Sequence, residues 1–226
     1  MNSLKKLEEY GQSVWLDYLS RGFVQKGALK KLVERDGLKG VTSNPAIFEK
    51  AIGHSSEKDE EIGALLKRGI TDEGAIFRRL AVADIRAAAD VLKPVYVASK
   101  GVDGYISMEV SPYIANDTEA TLAEARDLWR EIDRENLMIK IPATRAGIPA
   151  IQEMVGEGVN INITLLFAQS YYAEVAEAYL KGLEALPADY DLSKIASVAS
   201  FFVSRIDSKA DALLEEKLKT ATGEAR

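Results

Sequence analysis

The chain has 226 residues, 47% of them hydrophobic, which is enough for one sizeable core, and its formal net charge is -6. This mildly acidic balance argues against nucleic acid as a main partner but leaves room for a small phosphate ester held by one or two local cations. With no cysteine and one histidine, the sequence excludes disulfides and thiolate metal sites and gives little support to a His-based triad.

The first ten residues predict a short amphipathic helix, with charged side chains between Lys5 and Glu9 on its polar side. No secretory signal is visible, and no apolar run approaches the roughly 20 residues that a membrane-spanning helix needs. His54 lies in a polar Gly-His-Ser-Ser turn, where we expect a surface residue. The sequence predicts a soluble, cytoplasmic protein with one domain over residues 1–226.

Six short apolar runs alternate with longer amphipathic stretches, an order that is typical of parallel strands covered by helices. Three of the runs stop at a proline, which has no N–H to donate to a sheet ladder. The predicted strands are Ser13–Asp17, Gly40–Asn44, Tyr105–Val110, Leu137–Ile141, Asn160–Leu166 and Ile195–Val203.

Four helices follow from the spacing of apolar residues. Thr121 and Glu124 predict a capping box at the start of the second of them. The predicted helices are the alanine-rich Ile76–Val91, which we expect to end near Pro94, then Leu122–Ile132, Tyr172–Leu183 and Ser208–Thr220.

Each strand carries apolar residues on one face and polar residues on the other. In Tyr105–Val110, for example, Ser107 and Glu109 alternate with three apolar side chains. An open sheet covered by helices on both faces would be apolar on both. Polar residues near the C-terminal strand ends instead suit a closed α/β barrel, in which the upper interior forms a site.

Lys140 lies inside the predicted buried strand Leu137–Ile141. Burying an unpaired ammonium is costly, so such a lysine tends to be held as the neutral amine, which can attack a ketone and form a Schiff base. The alternative, which is better supported for a lysine considered alone, is a side chain that extends to water at a sheet edge.

Other polar residues end neighbouring strands and favour the first interpretation. Asp17 and Glu109 are candidate general acids or bases, although either could instead cap a helix or pair with a cation. Asn44, Asn162 and Thr164 suit substrate hydroxyls and a bound water, or else satisfy backbone groups at strand ends. Ser200 and Arg205 predict a phosphate site, with an Arg205–Asp207 salt bridge as the alternative.

These residues lie in segments that resemble the transaldolase family of class I Schiff-base enzymes, in its long bacterial form. The segments run in family order across nearly the whole chain. They are Gly11–Asp17, Gly40–Phe48, Ser107–Pro112, Leu137–Thr144, Asn160–Phe167 and Ser197–Arg205.

The resemblance implies a (β/α)8 TIM barrel. It also implies an enzyme of the pentose phosphate pathway that moves a dihydroxyacetone unit between sugar phosphates. Fructose 6-phosphate or sedoheptulose 7-phosphate would donate the unit, and erythrose 4-phosphate or glyceraldehyde 3-phosphate would accept it. Because the protonated imine is the electron sink, the resemblance implies no metal and no organic cofactor.

The same resemblance implies a role for each candidate residue. Lys140 matches the Schiff-base lysine, and Asp17 matches the acid that handles the proton of the C4 hydroxyl. The remaining matches are Glu109 and Thr164 for a catalytic water, Asn44 and Asn162 for the dihydroxyacetone unit, Ser200 and Arg205 for the phosphate, and Phe202 and Thr42 as further substrate-binding positions.

The family barrel has eight strands, whereas six are predicted here. We favour a truncated or proteolysed chain; a second chain or exchanged copy that fills the gap, and an unusual six-stranded closure, stay open. Open edges predict self-association or a complementing chain. Two other functions also stay open: a fructose 6-phosphate aldolase, and an inert fragment that binds sugar phosphate or a partner chain.

Overall fold

The computed structural model describes residues 2–53 and 56–221 and contains an α/β fold built on one six-stranded sheet. All strand pairings are parallel, in the order β1-β2-β3-β4-β5-β6, so each strand lies beside its neighbours in sequence. The strands are β1 Trp15–Asp17, β2 Gly40–Thr42, β3 Tyr105–Glu109, β4 Leu137–Pro142, β5 Ile161–Leu166 and β6 Ser197–Phe201. This confirms the α/β barrel type with six strands in this chain.

Helices separate the strands and cover one side of the sheet. They are α1 Ser3–Lys6, α2 Arg21–Gln25, α3 Ala28–Lys31, α4 Pro45–Gly53, α5 Asp59–Lys67, α6 Glu73–Ala98, α7 Thr118–Ile132, α8 Gly147–Gly156, α9 Gln169–Ala185 and α10 Val203–Thr220. The predicted N-terminal helix is α1 followed by a 3-10 turn, Leu7–Tyr10. None of the described helices is long and apolar enough to span a bilayer. His54 lies outside the described residues.

The sheet is curled, and its polar face is the concave one. Asn162 of β5 donates a hydrogen bond to the Ser107 hydroxyl of β3 at 2.9 Å. Atoms two strands apart in a flat sheet are separated by roughly 9–10 Å, so the bond requires strong curvature. On the convex face Val41, Ile106 and Ile139 are fully buried under the helices. Six parallel strands curled in this way make part of a barrel wall.

The predicted capping box at Thr121 and Glu124 is wrong, because α7 begins one turn earlier. The Asp117 carboxylate caps the helix by accepting from the Ala120 N–H at 3.0 Å, and aspartate is a stronger N-cap than threonine. Thr121 is inside the helix and donates to the Asp117 carbonyl at 2.7 Å. Glu124 accepts from the Ser111 N–H at 3.0 Å.

Helix α6 does not end near Pro94 but continues to Ala98. A proline inside a helix removes one backbone hydrogen bond and disfavours the preceding turn. The packing of the last turn outweighs this cost: the ring of Tyr96 meets Tyr105 edge-on, with centroids 5.3 Å apart. Gly104 makes this contact close, since a Cβ there would lie 2.2 Å from the Tyr96 nitrogen.

Helix α9 buries only part of the predicted apolar stripe, which comprises Tyr172, Val175, Ala176, Tyr179, Leu180 and Leu183. Val175 is buried, and Tyr179 and Leu183 are half-buried against the core, but Tyr172 and Leu180 are exposed. The small residues Ala178 and Gly182, which the stripe omits, are buried instead. Small residues let α9 approach α8 closely. The spacing of large apolar residues does not reveal which small residues make this contact. Helix α10 likewise begins at Val203, five residues before the predicted Ser208.

Candidate active site

A cleft of about 970 Å³ opens on the concave side, at the C-terminal ends of the strands. Parallel strands with polar residues at these ends place their side chains around one mouth, as in other α/β barrels. Predicted site residues that line the cleft are Asp17, Asn44, Glu109, Lys140, Thr164, Phe202 and Arg205. The other three, Thr42, Asn162 and Ser200, are hydrogen-bonded into the same face, as described below.

The strand register explains why these residues meet. Glu109 of β3 is the direct neighbour of Lys140 on β4, which is in turn the neighbour of Asn162 on β5. Register partners on adjacent parallel strands point to the same face and lie about 4.8 Å apart. Asp17 of β1 and Thr42 of β2 are neighbours in the same way.

Lys140 is 7% exposed, and its Nζ lies 3.0 Å from Oε2 of Glu109. The amine also donates to the Ser43 carbonyl at 3.5 Å, so it points into the concave face and not to a sheet edge. The sequence alone predicts an unpaired amine, whereas the structure gives it a carboxylate partner. Burial raises the pKa of Glu109, although the neighbouring Lys140 opposes the rise. Such a pair can pass a proton from the amine to the carboxylate.

Asp17 is exposed at the mouth of the cleft, and Thr42 fixes one side of its carboxylate. The Thr42 hydroxyl donates to Oδ1 of Asp17 at 2.7 Å. A threonine hydroxyl has one proton, so in this arrangement Thr42 supports Asp17 and has only lone pairs to offer a ligand. The other carboxylate oxygen, Oδ2, has no comparable hydrogen bond among the described residues.

Asn162 is fully buried and joins three strands. Its amide donates to Ser107 of β3, and its Oδ1 accepts from the Ser200 hydroxyl of β6 at 2.8 Å. The Ser200 proton is therefore donated to Asn162, and a phosphate would have to compete for it. Asn162 keeps one N–H free of these two partners.

The comparisons with known proteins bear on this arrangement. The sequence profile described as Transaldolase/Fructose-6-phosphate aldolase matches residues 14–225. The chain belongs to this family. Similar relatives include Transaldolase 2 of Nostoc sp., 52% identical over 96% of this chain, and Transaldolase 2 of Nostoc punctiforme, 53% identical over 98%. Transaldolase of Trichodesmium erythraeum is 50% identical over 99% of the chain.

The chain spans 57%, 62% and 59% of the lengths of these three relatives, in the same order. The transaldolase family name is thus supported by nearly all of this chain but by little more than half of each relative. Five of the six segments named above lie within the matched region, and the first, Gly11–Asp17, overlaps its start.

At the outer end of the cleft of this transaldolase-family chain, an arginine lies across two stacked rings. The Arg205 guanidinium is 4.2 Å from the centroid of Phe202, which stacks on Phe167 with centroids 5.1 Å apart. Within residues 2–53 and 56–221, Arg205 forms no ion pair, so the alternative Arg205–Asp207 salt bridge is not observed. A cation held by a ring and lacking an acidic partner can receive an anion.

Thr164 and Asn44 are held by local backbone features. A bulge in β5 lies between Ile163 and Leu166, where Leu165 adopts a left-handed conformation with φ 61°. A bulge re-aims the side chains beside it, and this one places both Thr164 and Leu165 against the cleft. Asn44 accepts from the Ile47 N–H at 3.0 Å and so caps α4, the helix that follows β2.

Sequence reasoning missed Ser43 and Ser107 as site residues, and it missed the bulge at Leu165. The Ser43 hydroxyl donates to the Ser107 carbonyl at 2.7 Å, beneath the amine of Lys140. Both serines lie in the segments that carried the family resemblance, which was the available signal. The bulge had none, because leucine does not favour positive φ.

Lys50, Ala51 and Glu57 also line the cleft and were not predicted. They belong to the connection between β2 and α6, which the sequence analysis did not place at the site. Over the described residues, no group of three or more His, Asp or Glu side chains is arranged to hold a metal ion.

Proposed function

We propose that this chain carries the Schiff-base site of a transaldolase that moves a dihydroxyacetone unit from a ketose phosphate to an aldose phosphate. The observation that carries the proposal is the buried Lys140–Glu109 pair at 3.0 Å, in a cleft that also contains Asp17 and Arg205. Family membership and the names of the relatives support the same reaction. Because the chain covers part of each relative's length, the activity, substrates and partners of the whole protein are proposals.

The first half of the proposed reaction forms an imine. Glu109 takes a proton from Lys140, and the neutral amine adds to the C2 carbonyl of the ketose phosphate to give a carbinolamine. Glu109 and Thr164 hold the water that relays protons, so that the hydroxyl at C2 leaves as water and a protonated imine remains. The raised pKa of Glu109 makes it a better proton acceptor than an ordinary carboxylate, which suits a group that must both accept and return a proton.

The second half exchanges the aldehyde. Asp17 accepts the proton of the C4 hydroxyl as the C3–C4 bond breaks, and the bonding electrons move into the imine to leave an enamine on Lys140. The aldose phosphate released by this cleavage departs and a different one enters; C3 of the enamine attacks its carbonyl carbon, and Asp17 returns the proton to the new hydroxyl. Hydrolysis of the imine by water releases the new ketose phosphate and regenerates the amine.

The remaining residues bind and orient the substrate. Asn44 and Asn162 would direct the hydroxyls of the dihydroxyacetone unit, with Thr42 acting on Asp17. Arg205 would receive the phosphate, assisted by Ser200 once its hydroxyl leaves Asn162, and Phe202 would line the same end. This assignment is supported by the shared cleft and by the lack of an acidic partner for Arg205 among the described residues.

A fructose 6-phosphate aldolase is the second candidate, because the matching family description includes that activity. It would use the same imine but would protonate the enamine and release dihydroxyacetone. Dependence of fructose 6-phosphate cleavage on added erythrose 4-phosphate separates the two, since only a transferase needs the acceptor to turn over.

We extend the proposal to the setting of the enzyme. The pentose phosphate pathway and a cytoplasmic location fit the proposed substrates and the absence of cysteine. The outer edges of β1 and β6 have no strand partner in the described part of the chain, which supports self-association with a second copy.

Borohydride trapping tests the imine directly. With fructose 6-phosphate and borohydride we expect a permanent mass increase on the Lys140 peptide, and we expect Lys140→Ala to abolish it while circular dichroism stays unchanged. Lys181→Ala, an exposed lysine on α9, is the matched control and should trap normally. Full transferase activity in Lys140→Ala would refute the assignment, and no adduct under saturating substrate would favour the inert fragment.

A further inference from the structure

A cluster of four charged residues lies behind the wall of the cleft; two of them are fully buried, and the side chain of one, Glu61, is 44% exposed. Asp84 accepts from the Arg21 Nε on one carboxylate oxygen and from the Lys58 Nζ on the other. Arg21 also donates through Nη1 to Glu61. The side chains of Lys58 and Asp84 are both 0% exposed, and that of Arg21 is 12% exposed. We call these four residues the Asp84 cluster.

The Asp84 cluster is an unusual way to stabilise a fold. Two cations and two carboxylates balance in charge, but burial still lowers the pKa of Lys58, and Asp84 offsets only part of that effect. Buried ion networks can often be replaced by apolar side chains without loss of stability. Among the described residues, Arg21 Nη2 and Glu61 Oε2 are also buried without a hydrogen-bond partner. Stability alone therefore does not account for the cluster.

The cluster connects a rigid helix to the loop that carries Asp17. Asp84 lies in the middle of α6, where its neighbour Ile85 is fully buried in the core. Arg21 is the first residue of α2, and only the loop 18–20 separates it from Asp17 at the end of β1. Because only three residues separate them, a movement of Arg21 is expected to move Asp17 as well.

The loop itself is tightly built, so it can transmit such a displacement. Leu19 is 1% exposed and anchors the loop in the core. The Ser20 hydroxyl accepts from the Phe23 N–H at 3.2 Å and from the Tyr18 hydroxyl at 3.3 Å. Both Tyr18 and Ser20 line the cleft together with Asp17.

A second contact attaches the start of α2 to the segment that precedes Lys58. The Glu57 carboxylate accepts from the Gly22 N–H at 2.9 Å, and Glu57 also lines the cleft. A Cβ at Gly22 would lie 2.1 Å from Oε1 of Glu57, so only glycine admits this carboxylate. The chain beside Lys58 is thus attached to α2 at two points, through Glu57 and through the Asp84 cluster.

We propose that Lys58 and Asp84 are positioning residues for the carbon–carbon step. They act through Arg21 to fix the β1–α2 loop and thereby the Asp17 carboxylate, without touching the substrate. This inference rests on the proposed function, in which Asp17 works at C4 whereas Lys140 and Glu109 form the imine. Loosening the cluster should therefore slow cleavage and transfer while leaving imine formation intact.

Lys58→Met tests the inference against a control on α6, the helix that carries Asp84. The control is Arg78→Met, which removes an ion pair to Glu131 of α7, 2.7 Å long and remote from the cleft. For Lys58→Met, at temperatures where it is folded, we expect the Lys140 imine to be trapped as in the wild type. We expect kcat for transfer to fall at least about tenfold with a smaller change in KM, and Lys58→Arg to restore part of it.

Amide hydrogen exchange gives a readout that does not need turnover. Peptides covering residues 17–25 should exchange faster in Lys58→Met than in the wild type and should be unchanged in Arg78→Met. Gly22→Ala is the second variant if Lys58→Met does not fold, because it displaces only the end of a flexible glutamate. It should also accelerate exchange in these peptides and lower kcat with the imine retained.

The outcomes separate this inference from the proposed function. A wild type that traps no imine would overturn the proposed function. Amide hydrogen exchange over residues 17–25 would still test whether Lys58 and Asp84 hold the β1–α2 loop in place. Unchanged exchange and unchanged kcat in a folded variant would overturn the inference alone. Loss of imine and turnover in equal proportion would assign the cluster a purely structural role and overturn it as well.

Discussion

At the residue scale, the Lys140–Glu109 pair combines a buried amine with a carboxylate whose proton affinity is increased. The two meet because β3 and β4 pair in a register that makes them direct neighbours. Burial disfavours the ionised form of Glu109 and the ammonium favours it, and the net effect is a pKa above the ordinary value of 4.5. The pair is therefore poised for proton exchange and not locked as a permanent salt bridge.

The raised pKa of Glu109 has a signature in the stability of the protein. Between its unfolded and folded pKa values, the folded protein binds a proton that the unfolded chain has released, so the stability from this group is lost as the pH rises through the folded pKa. We therefore compare the free energies of unfolding of the wild type and Glu109→Gln. The wild-type value minus the variant value should fall from pH 4.5 towards neutral pH, by about 1.4 kcal/mol for each unit by which folding raises the pKa of Glu109. Urea unfolding across this pH range measures the difference.

Glu184→Gln, at an exposed position of α9, controls for the loss of one negative charge. A difference that instead grows with pH would mean that Lys140 lowers the pKa of Glu109 below its ordinary value, contrary to the burial argument.

Arg205 is the residue whose removal should affect binding more than turnover. Its guanidinium lies over Phe202 and has no ion pair among the described residues, so its charge is available to a phosphate. Arg205→Ala should raise KM for fructose 6-phosphate about 10- to 100-fold, as expected for a charge-assisted hydrogen bond worth about 1.5–3 kcal/mol, with a smaller fall in kcat.

The matched control for Arg205 is Arg145→Ala, because the Arg145 guanidinium also lies over a ring, 5.0 Å from the centroid of Tyr171, outside the cleft. Steady-state kinetics at several fructose 6-phosphate concentrations give both constants. An unchanged KM in Arg205→Ala would remove this arginine from the phosphate site.

The sequence could identify residues at this scale but not their hydrogen bonds. Alternation along β5 assigned Asn162 to the polar face, because side chains repeat every two residues, whereas Ser200 was a phosphate-site candidate and Thr42 came from the family resemblance. It could not reveal that Thr42 and Ser200 have already donated their single protons, to Asp17 and Asn162, since this depends on the curl of the sheet. The pairing of Lys140 with Glu109 could not be predicted either, because it depends on the register of β3 and β4.

At the element scale, the packing of α8 against α9 depends on a glycine. A Cβ at Gly182 would lie 2.6 Å from the carbonyl oxygen of Gln152, so Gly182→Ala must separate the two helices. We expect it to lower the free energy of unfolding by about 1–3 kcal/mol, the usual range for overpacking. Chemical denaturation measured by circular dichroism tests the value.

Gly63→Ala in α5 is the matched control, because nothing lies within 4 Å of a Cβ at that position. There the same change should stabilise the protein by up to about 1 kcal/mol, since alanine favours a helix over glycine. Equal effects of the two substitutions would show that α8 and α9 are not in close contact at Gly182.

The strands were easier to predict than the helices, and the reason is physical. Strand ends are marked locally by proline and by polar residues, which predicted all six strands to within a few residues. The length of α6 depends on the packing of Tyr96 against Tyr105, and the buried face of α9 depends on contact with α8 through small residues. Neither is visible in the spacing of apolar residues.

At the scale of the whole molecule, six curled strands leave two edges and an unburied helix. No residue of α10 is buried, and Ile206, Leu213 and Leu214 are 42%, 50% and 57% exposed. An apolar helix face beside the open edge of β6 favours association with a second copy. The barrel class follows from sequence order, but the fate of these surfaces depends on partners that a single sequence does not specify.

Leu214→Glu tests this association. We expect the wild type to sediment increasingly as a dimer between micromolar and higher concentrations, and the variant to remain monomeric, because a charge on this face cannot be buried unpaired. Leu66→Glu is the control, at a leucine that is 48% exposed on α5. A wild type that is monomeric throughout would contradict the expectation.

The amide of Asn162 has a further consequence. Because it is fully buried and bonded to both Ser107 and Ser200, its two amide protons are shielded from solvent and held in different surroundings. They should appear in a proton NMR spectrum as a pair of sharp, slowly exchanging resonances. Since Asn162 is the register neighbour of Lys140, that pair would shift as the lysine becomes an imine, giving a spectroscopic record of each covalent state.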